Sequence, residues 1–117
     1  MTRPIFALIL VLLTGCATTA TSTAESKDRA ECKEYSRPFE HSGRMKDACL
    51  ISRGHTAIYS TNGGDVHVRS KAEPRQTAEV VANDLKGCND AAGMGYAGRL
   101  QFATCMDPRG YAVRTGD

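Results

Sequence analysis

The chain has no Trp, only three Phe and four Tyr, and only four Pro in 117 residues. Aromatic stacking on exposed bases is therefore poorly supplied. Its 15 Lys and Arg nearly balance 13 Asp and Glu, a formal charge of +2, and no basic cluster interleaves with rings. That excludes the electrostatic footprint of a nucleic-acid binder. No apolar run reaches the ~20 residues of a spanning helix. C-x2-C, H-x3-H, G-x-S-x-G and P-loop spacings are all missing. Without them there is no zinc-ligand pattern, no dithiol redox motif, no nucleophile elbow and no phosphate cradle. The three histidines, His41, His55 and His67, are widely spaced, so no metal and no cofactor is expected.

What is present begins at the amino end. Arg3 precedes one short apolar run, Ile5 to Leu13, and small residues follow it. At ~1.5 Å per residue the run is ~14 Å long, half a bilayer core, which is the layout of a cleaved secretory signal. The run ends Leu13-Thr14-Gly15-Cys16. These four residues resemble the lipobox of bacterial lipoproteins. The resemblance implies that residues 1–15 are removed and that Cys16 becomes the lipidated first residue. Two or more acyl chains hold a protein firmly where one does not. Ala17 follows Cys16, and the absence of Asp there implies the outer membrane, on its periplasmic face. Residues 16–27, small and polar, read as the lipidated Cys and a tether, with residues 28–117 as the periplasmic domain.

Cys32, Cys49, Cys88 and Cys105 remain, an even number in an exported chain, so disulfides are the first expectation. Four cysteines allow three pairings. An internal repeat favours one of them. Both cysteine pairs are separated by 17, an Asp stands four before each first Cys, and Arg-Gly plus a ring residue stands four after each second. Residues 28–58 and 84–114 thus share the pattern D-x3-C-x16-C-x3-R-G-[HY].

A spacing of four keeps side chains on one helix face. If each unit is an antiparallel helix pair, Cys32 faces Cys49 as Asp28 faces Arg53. In the same way Cys88 faces Cys105 as Asp84 faces Arg109. The pattern therefore predicts bridges Cys32–Cys49 and Cys88–Cys105, not bridges across units, flanked by two structural ion pairs. Gly54 and Gly110 fall where a helix end takes a left-handed residue. The second unit, with its CMDPRGY, also resembles a pattern in small bacterial envelope lipoproteins: Asp-x3-Cys, a Gly/Ala-rich stretch, then Cys-Met-x-x-Arg-Gly-Tyr. No activity comes with that resemblance.

Between the cysteines, helices are expected at about 25–36, 44–53, from Pro74 onward, and at 98–106. In the third, Ala78, Val81, Leu85 and Cys88 recur at helical spacing; in the fourth, Leu100, Phe102, Cys105 and Met106 are core candidates. TAIYS and DVHVR flank Thr61-Asn62-Gly63-Gly64, a hairpin signal, and YAVRT is a candidate third strand. Pro108 should end the last helix before Arg109. Gly93, Gly95 and Gly98 read as a flexible loop. The fold expected is α+β and helix-dominated: two disulfide-stapled helical hairpins with a small antiparallel sheet between them.

The function expected is that of a non-enzymatic outer-membrane lipoprotein. It would contact the membrane through its lipid and a protein of the envelope through the hairpin tip (61–65) or the loops at 38–43 and 89–98. Two other readings stand beside it: an inhibitor or immunity protein against a cell-wall hydrolase or toxin, and a pilot or assembly factor of a secretion channel.

Overall fold

The computed structural model describes residues 24–116. The leader, residues 1–15, and Cys16 lie outside the described residues. The chain divides into two units at Glu31 and Cys32.

In the first unit, residues 24–31 are helical and form the start of helix α1, which spans 24–36. Arg29 bonds Glu25 at 3.2 Å and Lys27 approaches Glu31 at 3.7 Å, both one turn apart. Such pairs support a helix whose sequence is mostly charged. Residues 24–27, expected as the end of the tether, are therefore helix.

The second unit is a helix-dominated α+β arrangement. It takes in the last turn of α1, then α2 (Ser42–Ser52), β1 (Ala57–Thr61), β2 (Gly64–Ser70), α3 (Ala78–Ala91), α4 (Gly95–Met106), a 3-10 turn (Asp107–Arg109) and β3 (Tyr111–Arg114). The strands form one antiparallel sheet in the order β1-β2-β3, so the expected third strand pairs with the hairpin.

Alternation decides the faces of this sheet. Ala57, Tyr59, Val66, Val68 and Tyr111 are buried, while Ile58, Ser60, Asp65 and Arg69 point the other way and are exposed. Among the described residues of this unit, the helices cover the first face. Leu85, Val81, Phe102, Met106 and Ile51 are fully buried there, and the Tyr59 and Phe102 rings stack at 5.7 Å. At ~25 cal/mol per Å² of apolar surface, a handful of such side chains is the main stabilising term. Among the described residues, the buried core runs from Cys32 to Tyr111.

Two element starts differ from the sequence reading. Helix α3 begins at Ala78 and not at Pro74, because the Thr77 hydroxyl accepts from the Val80 N–H and caps it there. Residues 74–77 form no helix, and the Glu73–Pro74 bond is cis. Helix α4 begins at Gly95, three residues early. The Gly/Ala stretch is thus largely helix, and its glycines serve contact. A Cβ on Gly98 would overlap the Gly93 carbonyl, and one on Gly63 would come within 2.5 Å of the Gly95 oxygen. Leu100, expected in the core, is 43% exposed.

The hairpin forms where expected, and its left-handed residue is Gly64 at φ +119°. At the other turns, α2 ends in Gly54 (φ +92°), whose N–H donates to the Ile51 carbonyl while His55 N–H donates to Leu50. This is the paired closure that left-handed glycine permits at a helix end. Helix α4 stops at Met106, as Pro108 requires, and Gly110 (φ +100°) turns the chain into β3.

Candidate functional site

The cysteines meet as the repeat predicts. Cys32 bridges Cys49 and Cys88 bridges Cys105, with Cα–Cα separations of 5.5 and 5.6 Å. The first ties the end of α1 to α2 and the second ties α3 to α4. Cys32, Cys49 and Cys88 are buried in the core. All four thiols are consumed, so none is a nucleophile or ligand.

Of the two expected ion pairs, the second is formed: Arg109 Nη1 donates to Asp84 Oδ1 at 3.1 Å. The other Asp84 oxygen accepts from the Tyr111 hydroxyl at 2.7 Å. Asp84 stands one turn before Cys88 on α3, while Arg109 and Tyr111 flank Gly110 after α4. The carboxylate therefore closes the bridged pair onto the first residue of β3. Tyr111 is wholly buried, and burial, followed by the hydrogen bond to Asp84, pushes its phenol far above the ordinary tyrosine range. It keeps its proton and donates a hydrogen bond to the Asp84 carboxylate. Asp28 lies on α1 and Arg53 at the end of α2, on either side of the unit boundary, and their pairing is carried forward as an expectation.

Further bonds hold the same end of the domain. The Gln76 amide donates to the Arg109 carbonyl at 3.0 Å and accepts from Ser70 Oγ at 2.6 Å. Lys71 Nζ pairs with Asp107 at 2.6 Å and its N–H donates to the Gly110 carbonyl. The Gly110 φ and this network together fix where β3 starts.

The hairpin tip, expected as a free recognition loop, is docked on its own domain. Asn62 N–H donates to the Asn89 side chain at 2.8 Å, Asn62 Nδ2 to the Asn89 carbonyl at 3.3 Å, and Arg99 Nη1 to the Gly63 carbonyl at 3.1 Å. Gly63 is buried. No periodicity signal marks such docking; only the glycines at 63, 93, 95 and 98 hinted at close approach.

One half-buried acid stands apart. Asp47 on α2 has its carboxyl pushed up to about 6, because burial disfavours the charged form more than nearby Lys46 favours it. Among the described residues, no group of three His, Cys, Asp or Glu converges to hold a metal. No described helix is long and apolar enough to cross a membrane.

The open face of the sheet is the remaining feature, and the sequence reading missed it. Register places His67 between Ile58 and Arg114, and Arg69 opposite Ala112. A cavity of about 410 Å³ opens on this face, lined by Thr56, His67, Arg69, Ala112, Val113 and Arg114. A second, of about 340 Å³, shares His67 and Arg114 with Thr115 and Gly116. The residues are four elements of sequence apart, and only strand order brings them together.

Compared with protein-family models, with curated proteins and with solved structures, the chain matches none.

Proposed function

We propose that the chain is a non-enzymatic lipoprotein of the outer membrane, facing the periplasm. In this reading residues 1–15 are its cleaved leader, Cys16 carries its lipid, and the stapled domain contacts another envelope protein. The observation that carries the reading is Leu13-Thr14-Gly15-Cys16 directly after a short apolar run with a single leading cation. Two disulfides among the other four cysteines support it, since such bonds persist in oxidising compartments. The engagement of Asp84, Arg109 and Tyr111 with one another supports a structural use of this partly buried polar cluster. The shared pattern of residues 28–58 and 84–114 reads as a duplicated unit, in which each copy is closed by its own bridge.

The test is the mass of the mature protein taken from membranes. A chain starting at Cys16 and heavier by a diacylglyceryl group and an acyl chain is expected. The Cys16→Ala variant should carry neither and should leave the membrane fraction. An unmodified Cys16, or a mature chain that still holds Arg3, refutes the reading.

A further inference from the structure

We propose that the open face of the sheet is a binding site for the phosphate group of a soluble phosphate monoester, held by Arg69, Arg114, His67 and Thr56. The inference rests on this face alone and not on the lipid anchor.

Four observations carry it. The first is the arrangement of donors. Thr56 precedes β1, His67 and Arg69 stand on β2, and Arg114 on β3, so hydroxyl, imidazole and two guanidinium groups line one cavity from three neighbouring strands. Cross-strand pairs are normally matched in charge or shape. Here Arg114 sits directly opposite His67, and Arg69 is two residues further along the same face.

The second is the lack of a compensating acid. Among the described residues, no Asp or Glu lines either cavity. The nearest acid on this face along β2, Asp65, already accepts from Ser60 Oγ at 2.8 Å.

The third is that these two cations have nothing to do within the fold. Arg29, Arg37, Arg75, Arg99 and Arg109 each donate to a carboxylate or carbonyl. Among the described residues, the side chains of Arg69 and Arg114 make no hydrogen bond or ion pair. Two free forks beside one cavity are the geometry that recognises a multiply charged oxyanion.

The fourth is shape. Ala112, opposite Arg69, is the smallest side chain the strand could place there, and it leaves the hollow open. Donors arriving from three strands suit a tetrahedral group with three terminal oxygens better than a planar carboxylate, which one fork satisfies. About 410 Å³ exceeds what a single phosphate fills, so the molecule carrying it has room in the same hollow.

The experiment uses residues 17–117, which include every residue of the described core, labelled with nitrogen-15 and titrated with sn-glycerol 3-phosphate. Amide shifts at His67, Arg69, Ala112 and Arg114 should saturate. The Arg69→Ala/Arg114→Ala double variant, altered only at exposed side chains, should melt at an unchanged temperature and bind roughly tenfold or more weakly. Arg69→Lys, which keeps the charge but loses the fork, should fall between. Three results overturn the proposal. One is no saturating shift, or shifts the double variant leaves intact. Another is succinate binding as tightly as the phosphate ester. The third is arginine-dependent sedimentation with phosphatidylglycerol vesicles while the soluble ester gives no shift.

Discussion

The two bridged helix pairs, α1–α2 and α3–α4, obey one spacing rule and finish by different means. Both bridges join residues 17 apart, and both pairs run through Arg-Gly into a strand, with the glycine left-handed. Yet α2 closes with backbone bonds of its own around Gly54, while α4 breaks off at Met106 and needs a 3-10 turn before Gly110. In the second pair the Tyr111 hydroxyl also donates to Asp84, across from the bridge. A covalent bridge fixes the spacing of two helices. It leaves the chemistry of the exit to local residues, and Pro108, which cannot continue a helix, forces the second pair to find another solution.

The equivalence of the bridges is the part of this comparison easiest to break. Replacing Cys32 and Cys49 by Ser, or Cys88 and Cys105 by Ser, closes off loops of the same size. Each double variant should therefore lose about 3 kcal/mol in urea unfolding, and by similar amounts. A gap of more than about 1 kcal/mol would mean that one half has strain or residual order that the other lacks.

The clasp between Tyr111 and Asp84 should give the next largest effect. Tyr111→Phe removes a bond to a carboxylate from a buried ring without changing its shape, and about 2 kcal/mol of stability should go with it, read from the same curves. A loss under about 0.5 kcal/mol would place the closing energy in the Arg109 pair and the backbone.

The smallest effect has the opposite sign and belongs to α2. The Asp47 carboxyl titrates near 6 in the folded protein and lower when unfolded, so the folded state holds its proton more tightly. Ionised Asp47 therefore costs stability above about pH 6, and that cost disappears as pH falls below about 4. Asp47→Asn should stabilise the domain by about 1 kcal/mol at pH 7, discounted for partial exposure, and by nothing near pH 4. Paired melts at the two pH values measure it, and an equal gain at both would assign the effect to something other than charge.

The features legible in the sequence are those set by short-range rules. Cysteine spacing, the Asn-Gly-Gly turn, strand alternation in DVHVR and the glycines after Arg53 and Arg109 each announce themselves within a few residues. The start of α3 was misplaced because Pro74 and Thr77 are both good helix openers, and the hydroxyl bond to Val80 decides between them. The glycines at 93, 95 and 98 were read as slack because a glycine looks alike whether it frees the backbone or makes room for another segment. The basic face of the sheet was invisible for a different reason. His67, Arg69 and Arg114 become neighbours only when β3 is laid against β2 in one register, and no local pattern fixes that register.

The junction of Gly63, Gly93 and Gly98 bears on how the protein can change over time. At Gly63 and Gly98 an added Cβ would meet main chain, with no side chain to trim or regrow in compensation. Substitution there is all or nothing: a single added methyl would lift the turn off the start of α4, and no second replacement nearby could restore the fit. The exposed segment at 37–41, by contrast, can drift freely. Families of such chains should therefore keep their glycine lattice while their outer loops diverge.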